Sequence, residues 1–457
     1  MRDWNAGRIA EAAGADLARH AEGSPERTLI DSRLAGPGDL FVALPGTRVD
    51  GGEFAAGALA AGAWGVLVTP ERARALLADD ASATRGAILA AADPLAGLGT
   101  LARAWRRALG AQVVAVTGSV GKTSTKELIA AMLAPSRRVV ASRANFNTDI
   151  GMPLEILAAP AGTEVLVLEA GMRGFGEIAT LTAICEPDVG VITTIAAVHL
   201  EQVGSLEGVA RAKAELLLGM RDGGTAVIPA GEPLLEPWLR PELDTVTFGP
   251  GGDVDWAAEP GGEILARGER VAIELPFTAA HQRRNALAAV AAARAVGVTP
   301  DGPMEVVFGA GRGERIELAG GITVFDDCYN ASPLSMRAAL DDLATQDPAR
   351  RRVAVFGDML ELGAEEHALH REIGAEARRT GVDVLVTVGP RAAAMAEAFA
   401  GEAHAAPDAA AGAELAAELV RPGDLVLVKG SNGVGLSVVA PRLRERAGAG
   451  APVDGGR

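Results

Sequence analysis

Lysine is nearly missing from this 457-residue chain: of 43 basic residues only Lys122, Lys126, Lys213 and Lys429 are lysine, and the rest are arginine. Surface positions evidently work without it. A lysine that persists is therefore a candidate for chemistry that guanidinium cannot copy, such as losing its proton when buried. Tyrosine is scarcer still, with Tyr329 alone. Two cysteines, Cys185 and Cys328, exclude a disulfide framework and suit a reducing cytoplasm, the expected location. No run of about 18 apolar residues is free of charges and turn signals, so no membrane span is expected. Met1-Arg2-Asp3-Trp4-Asn5 has no apolar stretch behind it, so no signal peptide is expected either. A net charge of −16 argues against a nucleic-acid partner. It does not exclude a small phosphorylated ligand, because local loops bind phosphate inside acidic proteins.

What is present reads as an α/β protein of three domains. Residues 1–84 form the first, with strands at Leu40–Leu44 and Trp64–Val68 and a helix at Glu53–Ala63 between them. Residues 85–312 form the second. It begins with a helical stretch over Ala87–Leu109, interrupted near Pro94, and its sheet opens at Gln112. Strands at Val113–Val116, Val165–Leu168 and Val189–Thr193 alternate with helices, and an Ala-rich helix at Ala286–Val296 closes the unit. Such alternation indicates a mostly parallel sheet covered on both faces. Residues 313–446 form the third, with strands at Val353–Phe356, Val384–Val388 and Leu425–Val428, a Rossmann-like open sheet. Residues 447–457 read as a disordered tail.

Between the strand ending at Val116 and the helix Lys122–Leu133 lies Thr117-Gly118-Ser119-Val120-Gly121-Lys122-Thr123-Ser124. Glycines let backbone N–H groups curl toward phosphate oxygens, and the helix N-terminus adds positive potential. Lys122 reaches terminal phosphates and the Thr123 hydroxyl joins a magnesium ion in such loops. Val116 stands where the usual motif has its first glycine. Glu169 and His199 each follow a strand, on the edge where open α/β sheets bind ligands. One carboxylate and one imidazole suffice for magnesium only if waters and phosphates supply the rest. Alone, an imidazole there is more often a loop residue than a ligand. Lys213 lies on an amphipathic helix, Gly208–Leu216, where an average lysine would make a surface salt bridge. In this chain arginine would have served for that.

Gly311-Arg312-Gly313 lies where the second domain meets the third. A guanidinium there would clamp phosphates only on domain closure; the bland alternative is a linker with surface arginines. Val324–Asp326 then reads as a strand ending in Asp326 and Asp327, followed by Tyr329. An acid at such an end bonds ribose hydroxyls, and a tyrosine face stacks on a base. His370 reads as packing rather than catalysis.

Together these segments resemble the Mur ligase family, in its D-alanyl-D-alanine-adding branch. The resemblance rests on TGSVGKTSTKE at 117–127, NFNTDIGMPL at 145–154, EAGMRGFGEI at 169–178, HLE at 199–201, AKAEL at 212–216, DDCYNASPLSM at 326–336 and GDMLELG at 357–363. DSR at 31–33 and PGDLFVAL at 37–44 resemble its uridine-binding domain. The likeness covers nearly the whole chain in order. It implies an enzyme that uses ATP to add D-alanyl-D-alanine to UDP-N-acetylmuramoyl-tripeptide through an acyl phosphate, as a monomer. It implies that Ser32 and Arg33 hold the uridine diphosphate, and that Asn145, Asn147, Thr148, Asn330 and Lys429 contact substrate. Gly118 to Ser124, with Asn285 near adenine, Arg312 at the phosphates, Asp327 at the ribose and Tyr329 beside them, would hold ATP. Thr123, Glu169, His199 and a carbamylated Lys213 would surround two magnesium ions, and Lys122, His199, Lys213 and Arg312 would carry the catalysis. Departures from the family are Gly52 where histidine is common, Thr148 for asparagine, and Asn432 and Ser437 near the C-terminus.

Two rival readings share the phosphate loop: a sister ligase, including the folylpolyglutamate type, and a P-loop regulator that makes no amide. The segments at 326–336 and 357–363 speak against the first. The uridine-binding segment, the junction arginine and Lys213 speak against the second.

Overall fold

The computed structural model describes residues 1, 3–46, 49–78, 86–143, 145–198, 200–257, 263–306 and 308–449. His199 and residues 450–457 of the expected tail lie outside the described residues.

The first sheet has five strands, β1 (Asp16–Arg19), β2 (Arg27–Leu29), β3 (Asp39–Val42), β4 (Gly65–Val68) and β5 (Ala87–Ala90), in the order β1-β5-β4-β3-β2. Ala87–Ala90 is therefore a strand and not the start of a helix, and the first sheet reaches past residue 84, where the sequence divided the first two units. A short, uniformly apolar run carries no period that separates a buried strand from a buried helix. The helix begins only at Pro94. Asp93 caps it by accepting from the Leu95 and Ala96 N–H groups, Pro94 takes the first turn, and Gly110 at φ +65 ends it.

The central sheet has nine strands: β6 (Gln112–Thr117), β7 (Val139–Ala141), β8 (Val165–Glu169), β9 (Val189–Ile192), β10 (Thr225–Pro229), β11 (Asp244–Phe248), β12 (Val254–Trp256), β13 (Ile264–Ala266) and β14 (Glu269–Val271). Their order is β14-β13-β12-β11-β10-β9-β6-β8-β7, which puts β6 between β8 and β9. Those three are parallel, so their carboxyl ends open on one edge. Strand side chains alternate between faces. Val113 and Ala115 of β6 join the core with helix Pro94–Leu109, while Val114 and Val116 pack with helices Lys122–Leu133 and Ala280–Ala295. In the latter helix Ala286, Ala288, Ala289, Ala291, Ala292 and Ala293 are all buried; their small side chains let it lie close against the phosphate-loop helix.

A two-stranded pair, β15 (Ile273–Glu274) and β16 (Gly302–Pro303), leads to the third sheet. That sheet comprises β17 (Glu314–Leu318), β18 (Ile322–Asp326), β19 (Arg352–Gly357), β20 (Val384–Val388), β21 (Glu402–Ala406) and β22 (Leu425–Lys429), in the order β17-β18-β22-β19-β20-β21. The final helix runs Val439–Ala449, so residues 447–449 are ordered where a tail was expected. Among the described residues, no helix is long and apolar enough to cross a membrane.

Candidate active site

The loop after β6 owes its shape to two glycines. Gly118 sits at φ +146, and a Cβ there would lie 1.9 Å from Thr193 Oγ1. Gly121 sits at φ +88, and a Cβ there would lie 2.6 Å from Asn285 Oδ1. Val116 is a fully buried strand residue, which explains the missing first glycine: the loop starts only at Gly118. The end of β9 braces this loop. The Ser119 N–H donates to Thr194 O at 2.9 Å and the Val120 N–H to Thr194 Oγ1 at 3.0 Å. These two amides, expected to face phosphate, serve the loop's own shape in this conformation. The first-turn N–H groups of helix Lys122–Leu133 have no intrahelical partner, as at any helix N-terminus, and such donors suit an anion. Lys122 folds over the loop, its amine donating to Gly118 O at 2.8 Å.

At the end of β8, Glu169 is buried and both carboxylate oxygens are engaged. Thr123 Oγ1 donates to Oε2 at 2.6 Å, and Asn147 Nδ2 donates to Oε1 at 2.8 Å. Asn147, expected to face the muramoyl substrate, thus also orients the carboxylate. Its neighbour Thr148 accepts from the N–H of Gly151, the first residue of the helix Gly151–Ala158, at 3.2 Å. Asn145 lies on the same loop, its carbonyl accepting from the Asn147 N–H at 2.8 Å. Among the described residues no three His, Cys, Asp or Glu side chains converge on one point. Thr123 and Glu169 present hard oxygens side by side, a donor pair that suits magnesium when phosphates and waters complete its shell.

Lys213 is about 1% exposed, on helix Leu206–Gly219, and makes no hydrogen bond or ion pair with a described residue. Glu215, two residues on and turned to another face of the helix, accepts from the Gly176 N–H at 2.8 Å and the Ala179 N–H at 3.1 Å. Burial, with Lys122 as a nearby cation, pushes the Lys213 amine well below its ordinary value. Lys122 is itself lowered by burial and by Arg312, against the pull of Glu169. The four groups share one electrostatic neighbourhood.

Arg312 lies at the junction between Gly311 and Gly313, at φ +70 and +74. Its guanidinium stacks over the Tyr329 ring, 3.6 Å from the centroid. Asn285, nearly buried, donates to Gln282 Oε1 at 3.3 Å and faces Gly121. Asp327 and Lys429 meet across the ends of β18 and β22. The Lys429 amine is paired with the Asp327 carboxylate and donates to Asn330 O at 3.1 Å. Lys429, expected to contact substrate, is spent on holding Asp327 and Asn330. Ser32 and Arg33 stand apart from this cluster on a short 3-10 turn, Ser32–Leu34. The Arg33 guanidinium pairs with Asp31 and holds its carboxyl down to about 2. Gly52, in place of the family's histidine, leaves room for Arg72: a Cβ there would lie 2.7 Å from Arg72 Cγ, and Arg72 Nε donates to Asp50 at 3.0 Å.

Sequence reasoning missed His281, whose pKa burial lowers while Asp327 and Asp342 pull it up. It precedes Asn285 by one helical turn, so its place on the same face was legible in the spacing. His370 is a packing residue, as expected: buried, it accepts from the Met359 N–H at 2.9 Å.

A phosphate loop on the nine-stranded sheet, with a carboxylate at the next strand end and an arginine ahead of the third sheet, fits a three-domain nucleotide-dependent ligase. Three family models match: the Mur ligase family catalytic domain over residues 28–105, the Mur ligase middle domain over 116–293 and the Mur ligase glutamate ligase domain over 311–432. The chain belongs to the Mur ligase family. It is 37% identical to a UDP-N-acetylmuramoyl-tripeptide–D-alanyl-D-alanine ligase of Mycobacterium tuberculosis, covering 96% of this chain and 95% of that one. A ligase of the same name from Bacillus subtilis is 34% identical, over 92% of this chain and 94% of its own. The crystal structure of MurF from Acinetobacter baumannii superposes with a TM-score of 0.87 at 29% identity, over 97% of this chain and 99% of that one. MurF from Thermotoga maritima, in complex with ADP, gives 0.80 at 28% identity over 93% and 98%.

Proposed function

We propose that this chain adds D-alanyl-D-alanine to UDP-N-acetylmuramoyl-tripeptide at the expense of ATP. The observation that carries the reading is the convergence of Lys122, Thr123 and Glu169 at the ends of β6 and β8, on a chain alike over its full length to ligases of that name. A carboxylate is a poor electrophile because its leaving group would be oxide. Its oxygen attacks the γ-phosphorus of ATP, ADP leaves, and an acyl phosphate forms. The free amine of the dipeptide then adds to the acyl carbon, the tetrahedral adduct expels phosphate, and the amine proton is lost. Lys122 and the helix N-terminus hold the phosphates and offset charge on the transferring group. Asn285 sits beside the loop for the adenine, Asp327 is held by Lys429 for the ribose, and Ser32 and Arg33 serve the uridine diphosphate. Thr123, Glu169, His199 and Lys213 would hold magnesium, which supplies charge neutralisation for phosphoryl transfer when bound. Lys213 meets that role as a carbamate, formed when its neutral amine adds to carbon dioxide and releases one proton.

The test is phosphate release over a small panel of muramoyl peptides and amine acceptors. Release that requires both UDP-N-acetylmuramoyl-tripeptide and D-alanyl-D-alanine supports the reading; release with a muramoyl dipeptide plus a single amino acid would point to a sister ligase.

Arg312 is expected to act late. Its guanidinium stacks on Tyr329 and lies close enough to Lys122 to lower that amine's pKa. Arg312→Ala should lower kcat by about 10²-fold, the scale for removing one charged donor to a transition state, with little change in KM for ATP. Steady-state kinetics decide it; a change confined to KM would count against the assignment.

A further inference from the structure

Of the four lysines, Lys126 is the one that the reaction leaves without a task. It lies one turn beyond Lys122 on the phosphate-loop helix and is about 2% exposed. Its amine donates to Ser142 O at 2.6 Å and lies 3.9 Å from Glu127 Oε1. Ser142 follows β7, and its hydroxyl accepts from the Glu169 N–H at 3.0 Å. A second route therefore joins the phosphate-loop helix to the carboxylate: Lys126 to Ser142 to the Glu169 backbone. The first route is the Thr123–Glu169 hydrogen bond at 2.6 Å. The two differ in one respect. A cation taken by Thr123 and Glu169 would replace the direct bond, whereas the Lys126 route ends on main-chain atoms and survives.

We infer that Lys126 is a positioning residue that, through Ser142, keeps the Glu169 carboxylate in register with the phosphate loop while a divalent cation is bound; this rests on the ligase reading of the same site. Arginine would not substitute. The amine is buried with its tip on a carbonyl, a single-point contact that a wider, longer, planar guanidinium does not reproduce. The scarcity of lysine in this chain fits that demand.

The test is calorimetric binding of a non-hydrolysable ATP analogue to the full chain, with magnesium and with EDTA. In Lys126→Met the magnesium-dependent gain in affinity should fall about tenfold, as for other groups that orient metal ligands, while affinity in EDTA stays within roughly twofold of the parent. Ser142→Ala, which keeps the carbonyl that Lys126 holds, should reproduce the loss. The double variant should be no worse than the poorer single one, since both act along one chain of contacts. Equal losses with and without magnesium, or losses that multiply in the double variant, would overturn the inference. Should Lys126→Met fail to fold, as thermal melting would show, Ser142→Ala alone decides the matter. A parent protein with no magnesium-dependent gain would instead refute the metal site of the ligase reading.

Discussion

Lys213→Arg is expected to be as inactive as Lys213→Ala, with each at least about a hundredfold below the parent in turnover. A guanidinium keeps the positive charge yet stays protonated and forms no carbamate of this kind. The residue is buried without an anionic partner among the described residues, and Glu215 is committed to the Gly176 and Ala179 amides. A permanent charge there would be uncompensated, and burial beside Lys122 favours the neutral amine. That is the form that adds carbon dioxide. Turnover should fall when bicarbonate and carbon dioxide are stripped from the buffer and return when they are restored. Short carboxylic acids should partly rescue the alanine variant. An active arginine variant, indifferent to bicarbonate, would reject the carbamate and leave the ligase assignment standing. The same burial has a consequence for folding. A folded pKa below the unfolded one means that the unfolded chain binds the proton more readily, so stability falls as pH drops from the ordinary lysine value of 10.5 toward the lowered one. Thermal melting of the apo protein should therefore show Lys213→Ala gaining on the parent as pH falls.

Lys122→Ala should slow ligation about 10²–10³-fold, the cost of losing one charged donor to the developing charge, with the melting temperature of the apo protein little changed. In the resting structure the amine is held on Gly118 O at 2.8 Å, within the loop it would guard, and burial with Arg312 nearby lowers its pKa. It is thus poised to exchange a carbonyl for phosphate oxygens. Fold and turnover are separable here because the loop is also braced from the end of β9, by Thr193 and Thr194, which the substitution leaves in place. Single-turnover kinetics with saturating substrates are the measurement; near-parental rates would refute the role.

The architecture was legible where period and context agreed. The helix Lys122–Leu133 begins where a strand, two glycines and a lysine placed it, and the strands at Val165, Val189 and Val384 follow from runs of apolar residues bounded by loops. Ala87–Ala90 is too short and too uniformly apolar to show a period, and it is the pairing with the neighbouring strands β1 and β4 that makes it a strand. Within the site, residue types that carry chemistry were visible, but their partners were not. That Asn147 orients Glu169, that Lys429 is consumed by Asp327, and that the Ser119 and Val120 amides face Thr194 all depend on contacts between residues distant in sequence. Burial of Lys213 could be suspected from the scarcity of lysine, but the absence of a counter-ion among the described residues required the packing.

The stacking of Arg312 on Tyr329 gives the chain a built-in reporter. With one tyrosine in the whole sequence, feeding fluorotyrosine during expression labels a single site. The label lies under the guanidinium that precedes the third sheet, so its fluorine resonance senses whether the arginine is in place. Nucleotide, muramoyl peptide and dipeptide can then be added in turn, and the order in which the stacked pair responds read from one spectral line, without cysteine engineering or a foreign dye.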